Sequence, residues 1–175
     1  MKKIALVIGH SERSQGAVNQ SSGLTEWRFN DMLAAAVEVI VDTLDVFRIY
    51  RNSYQDLPLK INLLNPDYII SLHCNAFNQL ASGTETLFYH RSETGKTMAE
   101  IVNRNVVAAL GLPNRGVKPK TSEDRGGYLL RYTNAPCVIA EPFFIDNDSD
   151  LVIAKDKYLM LIDAMAKSVL EIAEL

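Results

Sequence analysis

The sequence predicts an α/β fold in one domain: a mostly parallel, twisted sheet with helices on both faces. Short apolar runs of strand length, Ile4–Gly9, Tyr68–Leu72 and Cys137–Ala140, alternate with longer segments whose apolar residues recur at helical spacing. Alternation of that kind builds βαβ units and a parallel sheet. The runs are continuously apolar rather than alternating, which marks strands covered on both faces. At 175 residues the chain has the length of one domain, about 100–200 residues. With 47% apolar residues it can bury a substantial core.

Met1-Lys2-Lys3 before Ile4–Ile8 resembles the opening of a signal peptide. The apolar run is too short, however, and His10, Glu12 and Arg13 come next without a small-residue cleavage site. Ile4–Gly9 is therefore read as a first, central strand. His10 to Gly23 is polar and rich in Gly and Ser, hence a loop. Thr25 has the character of an N-cap. Behind it Phe29, Met32, Leu33, Ala36, Val37, Ile40 and Leu44 recur at helical spacing, giving a long amphipathic helix. Glu26 lies in its first turn and, by spacing to Phe29, Leu33, Val37 and Ile40, on its apolar face, where a carboxylate needs a partner.

Val46–Tyr50 reads as a second strand, Arg51–Lys60 with Pro58 as a turn, and Ile61–Asn65 as a short helix stopped by Pro66. The strand ending at His73 comes next, then a short loop from Asn75 to Gly83. Glu85–His90 alternates like a half-buried strand. Thr94–Leu110 is helical, with Gly111 at C′ and Pro113 beyond it. Asn114–Gly127 is polar, basic and punctuated by glycine, and reads as a surface loop. Tyr128–Arg131 carries no decisive pattern. Cys137–Glu141 is another strand, Asn147–Asp150 can cap the segment after it, and Lys157–Leu175 forms the last helix. No repeat, low-complexity segment or linker interrupts the chain.

The formal net charge is −3 with no block of like charge, which argues against nucleic acid as a partner. Cys74 and Cys137 are far apart and form no C-x-x-C unit, so free thiols are expected rather than a disulfide scaffold. No stretch is long and apolar enough to span a membrane. These features together lead to the expectation of a soluble protein made in the cytoplasm.

Three strands end on ionisable residues: His10, His73 and Glu141. In open α/β sheets the crevice beyond the carboxyl ends of the strands is where ligands bind. Glu26, at a helix start reached from the first strand's loop, can come to the same rim. Two histidines and one carboxylate on an open rim match a catalytic zinc site, with three protein ligands and a fourth position for water. A further carboxylate not bound to the metal can take the water's proton and hand it to a leaving amine. Glu141 has the placement for that role. Cys74 adjoins His73 but points to the opposite face of the strand, and is not counted as a ligand. His90 has no motif around it and reads as a surface or strand-pairing residue.

These residues also carry a resemblance. Val7-Ile8-Gly9-His10, Glu26, Ser71-Leu72-His73-Cys74-Asn75-Ala76 and Ala140-Glu141-Pro142-Phe143-Phe144-Ile145-Asp146-Asn147 resemble the ordered motifs of zinc-dependent N-acetylmuramoyl-L-alanine amidases. More narrowly, they are similar to the catalytic domain of bacteriophage endolysins in the amidase-3 family. Gly83-Thr84-Glu85-Thr86 and Asn114-Arg115-Gly116-Val117-Lys118 match two further family segments. The resemblance spans essentially the whole chain. It implies a sheet of about six strands, one Zn2+ on His10, Glu26 and His73, and Glu141 as the catalytic glutamate. It also implies cleavage of the amide joining the lactyl group of N-acetylmuramic acid to L-alanine in bacterial peptidoglycan. Asn75 and Arg115 become candidate substrate contacts.

Many bacterial members carry an acidic residue and a proline before Gly-His and glycines after it. Here Val7-Ile8 precede and Ser11-Glu12 succeed it. The loop after Asn75 has no room for the regulatory helix inserted in some division amidases, so a site open without an activator is expected. Residues 1–175 are expected to be one catalytic domain with no separate wall-binding domain, with a monomer favoured. Release to the cell wall through a membrane hole is the expected route, as for a phage enzyme; a bacterial sporulation or autolytic amidase is the other origin.

Blander roles stand beside these. Single strand-end histidines are mostly structural, Glu26 can serve the helix dipole, and Glu141 can pair with Arg115 or Arg131. Arg115 and Lys118 can equally be solvated charges. Among functions, a zinc peptidase cutting within the stem peptide would use the same site chemistry. A wall-binding module with structural zinc fits less well, because Glu141 is spare. A serine hydrolase built on Gly9-His10-Ser11-Glu12-Arg13 fails the G-x-S-x-G elbow, because Arg13 replaces the second glycine.

Overall fold

The apolar run after Lys2 forms the middle of the sheet. β1 (Lys3–Ile8) lies between β2 (Asp45–Ile49) and β3 (Tyr68–Leu72), parallel to both, and β6 (Cys137–Glu141) runs parallel beyond β3. β4 (Thr84–Tyr89) pairs antiparallel with β6, and β5 (Asn114–Lys120) pairs parallel with β4. The computed structural model, which describes residues 1–175, thus has a six-stranded, mostly parallel sheet of order β2-β1-β3-β6-β4-β5. The single reversal between β6 and β4 brings the beginnings of β4 and β5 to the rim where β1, β3 and β6 end.

Six helices cover the two faces: α1 (Glu26–Ile40), α2 (Leu57–Leu64), α3 (Glu93–Leu110), α4 (Gly127–Tyr132), α5 (Asp148–Asp156) and α6 (Tyr158–Ala173). Side chains of successive strand residues point to opposite faces, and the cores divide accordingly. Ile4, Leu6, Ile8, Ile70, Leu72 and Val138 join a cluster of 34 buried residues under α1, α3, α5 and α6. Ala5, Val7, Ile69, Cys137 and Ile139 face the other way, into a cluster of 11 under α2 and α4. The second face is therefore thinly covered, which leaves room for a cavity toward the rim. No helix is long and apolar enough to cross a membrane.

Caps set the helix ends. Thr25 Oγ1 accepts the Arg28 N–H, and the Asn147 side chain accepts from Ser149 and Asp150. Gly111 ends α3 in the left-handed conformation, with φ 69°, as a C′ glycine does.

Several expectations are corrected. Asn114–Lys120 is not loop but the edge strand β5. An edge strand pairs through its backbone on one side and can be polar throughout, and Pro119 is tolerated there. The predicted turn before Ile61 already contains the start of α2, with Pro58 in the first turn, where a missing N–H costs nothing. Tyr128–Arg131 lies within α4. The last helix is preceded by a separate one, α5, and begins at Tyr158. α1 stops at Ile40 rather than continuing to Leu44, and Met32 and Ile40 on its expected apolar face are exposed.

Candidate active site

Two glycines make the rim possible. At Gly9, just after β1, a Cβ would stand 2.6 Å from both His73 Cε1 and the Leu72 carbonyl oxygen. Only glycine lets the chain leave β1 so close to β3. His10 then adopts a left-handed φ of 67°. Gly16 has a φ of +77°, and a Cβ there would stand 2.5 Å from Glu26 Oε2 and from His10 Cδ2. The loop can therefore close directly over the carboxylate.

Glu26, the first residue of α1, is 1% exposed. Its Oε1 accepts the Cys74 N–H at 3.1 Å and lies 2.8 Å from His73 Nδ1. Its Oε2 accepts the Ala17 N–H at 3.1 Å and lies 3.0 Å from His10 Nε2. The His10 approach lacks hydrogen-bond geometry, so Nε2 is sealed from solvent without a hydrogen-bond partner. Burial disfavours the charge on Glu26, yet the two imidazoles beside it outweigh that and hold its carboxyl well below the usual carboxylate range. The helix dipole alone does not require this: a first-turn glutamate serving only the dipole can stay in water.

One donor atom from each of His10, Glu26 and His73 lies within 4.8 Å of the others. The set matches zinc, which takes imidazole nitrogen and carboxylate oxygen at about 2.0–2.2 Å. An orphaned imidazole nitrogen and an ionised carboxylate at one point fit the coordination of a cation better than a closed hydrogen-bond network. Both histidine side chains are 19% exposed, so the cluster is open on one side.

Glu141 ends β6 and faces the same side of the sheet as Ile139. Its Oε2 is sealed from solvent without a partner, and it forms no salt bridge. Burial first, then the negative charge of Glu26, pushes its carboxyl well above the usual range, with Arg125 opposing. The suggested pairing with Arg115 or Arg131 does not occur. Arg115 Nε donates to Glu85 Oε2 at 2.9 Å, and the Arg131 guanidinium lies over Tyr89 and Tyr132. His10, His73, Asn75 and Glu141 line one cavity of about 410 Å³, a size suited to a small ligand, about 300–1,000 Å³.

Arg115 is not among the cavity's lining residues, and Lys118 is half-buried in β5 beside Leu87 without a salt bridge. Asn75 lines the cavity, but its amide donates to Glu85 Oε1 at 2.8 Å. His90 is exposed at the end of β4, as a surface residue. Cys74 is buried in the larger core on the opposite face, and burial raises its thiol well above the usual range, so it holds its proton.

The residue that sequence reasoning missed is Glu85. It stands opposite Glu141 in the β4–β6 register and binds both Asn75 and Arg115. A register shift leaves Arg115 extra between the pairs Thr84↔Asn114 and Glu85↔Gly116, which lets its side chain turn to Glu85. Its only sequence signal was the Gly-Thr-Glu-Thr segment. Asp150 was missed too. It is 1% exposed and accepts from Ser82 Oγ, the Gly83 N–H and the Phe144 N–H, tying the chain before β4 to the chain after β6.

Over 151 residues the chain is 28% identical to the N-acetylmuramoyl-L-alanine amidase LytC of Bacillus subtilis, covering 81% of this chain and 29% of that protein. A cell wall amidase of Bacillus anthracis is 36% identical over 93 residues, 48% of this chain and 16% of its own length. The chain thus spans less than a third of either relative. The N-acetylmuramoyl-L-alanine amidase of Clostridium difficile 630 superposes with a TM-score of 0.87 at 20% identity, covering 99% of this chain and 97% of that one. The catalytic domain of CD27L, an endolysin targeting Clostridia difficile, gives 0.83 at 24% identity, covering 98% of each chain. At these identities the superpositions speak to the fold. The family model described as N-acetylmuramoyl-L-alanine amidase matches residues 4–171, and the chain belongs to that family, Amidase_3.

Proposed function

We propose that this chain is a zinc-dependent N-acetylmuramoyl-L-alanine amidase that hydrolyses the amide between the muramic acid lactyl group and L-alanine, degrading peptidoglycan. The observation that carries the reading is the convergence of His10, Glu26 and His73 on one point, with the unpartnered Glu141 on the same rim. Family membership supports the bond and the substrate. One zinc per chain would be held by His10 Nε2, His73 Nδ1 and the Glu26 carboxylate. Bound there, it would supply Lewis acidity, polarising the scissile carbonyl and acidifying water.

The chain's own groups do the remaining work. Against the cost of burial, the two imidazoles keep Glu26 ionised, the form that ligation requires of a carboxylate. Glu141, whose carboxyl is raised, takes the proton of the attacking water at Oε2 and returns it to the departing alanyl nitrogen. The cavity beside it receives the substrate. The enzyme is made in the cytoplasm and acts on the wall after release.

Elemental analysis and digestion of purified peptidoglycan test this reading. Wild type should carry about one zinc, and His73→Ala should lose metal and activity together. Mass spectrometry should find intact stem peptides with a new N-terminal alanine and uncut glycan. New reducing ends, a free amine on another stem residue, or full zinc in His73→Ala would overturn it.

A further inference from the structure

The cavity that holds His10, His73 and Glu141 extends from the rim over Leu87, Leu129 and Ile139. Three basic side chains from separate segments line it as well: Arg51 just after β2, Lys120 ending β5, and Arg125 before α4. None of the three forms a salt bridge. Of the three acids that line the cavity, Glu141 stands at the rim and the other two are engaged. Asp124 accepts from the Thr121 N–H at 2.6 Å and from Thr121 Oγ1 at 2.9 Å. Glu85 is taken by Asn75 and Arg115.

Glu85 is offset by its ion pair with Arg115, so even counting Asp124 and Glu141 in full, three cations less two anions leave a net positive charge on this lining, in a chain whose net charge is −3. Arg51 is also braced. Its guanidinium lies 5.5 Å from the Tyr54 ring centre, Tyr54 packs against Tyr128, and Tyr128 OH donates to the Gln55 carbonyl. Cations held along a concave, partly apolar wall attract an anion more strongly than the same charges on an open surface.

We infer that Arg51, Lys120 and Arg125 form an anion-recognising arm of the active-site cavity, which selects substrates carrying a free carboxylate on the peptide side of the scissile amide. The inference rests on the amidase reading above. In such a substrate the lactyl carboxyl is consumed in the amide and the N-acetylated sugars are uncharged, so free carboxylates belong to the peptide. The apolar floor of Leu87, Leu129 and Ile139 would run beneath the aliphatic part of that peptide, with the cations meeting its carboxylate.

The test uses two synthetic substrates, both N-acetylmuramoyl-L-alanyl-γ-D-glutamyl-L-lysinamide with the C-terminus blocked as the amide, one with the glutamyl α-carboxyl free and the other with it as the carboxamide. Zinc-loaded wild type should cleave the free acid with a kcat/KM about tenfold or more higher, the scale of a charge-assisted hydrogen bond. Added salt should erode that preference. Arg51→Gln and Arg125→Gln should each bring the ratio toward one. Lys96→Gln, on α3 across the sheet, should leave it unchanged and so controls for total charge.

Equal cleavage of both compounds by wild type would overturn the arm and leave the amidase reading standing. Variants that slow both substrates alike, with the preference intact, would likewise overturn it. Cleavage of neither compound by wild type would overturn the amidase reading, and the inference with it.

Discussion

Replacing Glu141 by glutamine keeps the shape of the side chain and removes its proton-accepting oxygen. Oε2 has no hydrogen-bond partner and the carboxylate forms no ion pair, so the substitution breaks no contact. If Glu141 is the general base, turnover should fall by about 10²–10⁴-fold, or roughly 3–5 kcal/mol of barrier at about 1.36 kcal/mol per tenfold. Zinc content should be unchanged.

Stability should move the other way. Burial and the charge of Glu26 raise the carboxyl of Glu141 above its ordinary value of 4.5. The folded state then binds that proton more tightly than the unfolded chain does. This contribution is complete below the ordinary value and is lost as pH rises toward the folded one, at about 1.36 kcal/mol per unit. Glutamine does not titrate. Metal-free Glu141→Gln should therefore gain on wild type as pH rises above about 4.5. The gain should read as a higher melting temperature, about 2–4 °C for each kcal/mol in a domain of this size. Metal analysis, thermal melts across pH and muropeptide turnover on this one variant suffice. Loss of zinc would make Glu141 a ligand. A lower melting temperature with turnover per folded molecule intact would make it structural, and either result refutes the reasoning.

Two further perturbations probe the scaffold. Gly16→Ala places a Cβ 2.5 Å from Glu26 Oε2 at a φ of +77°. It should cost about 1–2 kcal/mol from the backbone alone and weaken zinc binding, so an unchanged zinc affinity by titration would refute the cradle. Asp150→Ala orphans the Gly83 and Phe144 N–H groups, for about 3 kcal/mol in all. The melting temperature should drop by roughly 6–12 °C, whereas a shift under about 2 °C would show that water replaces the carboxylate.

Much of the site was legible in the residue order, for a local reason. A strand buried on both faces must be apolar along its length, so an ionisable residue at its end stands out. That is why His10, His73 and Glu141 were visible. Glu26 was visible because helical spacing put a carboxylate among Phe29, Leu33 and Val37. The Thr25 and Asn147 caps and the C′ Gly111 were readable on the same footing, since a helix end is satisfied within a few residues.

What only the tertiary structure decided depends on partners far apart in the chain. β5 has no apolar pattern because one edge pairs with β4 and the other meets solvent, so its polar residues read as loop. The antiparallel entry of β4 beside β6 put Glu85 opposite Glu141 and gathered Arg51, Lys120 and Arg125 along the same cavity. Strand direction and neighbour are settled by which faces the helices cover, and no short stretch of sequence records that. The candidate ligand set itself shows the division. The residue types and strand-end positions were written locally, but only packing across the sheet brought an imidazole, a carboxylate and a second imidazole within 4.8 Å. It did so through two glycines, Gly9 and Gly16, whose missing side chains leave the space those groups need.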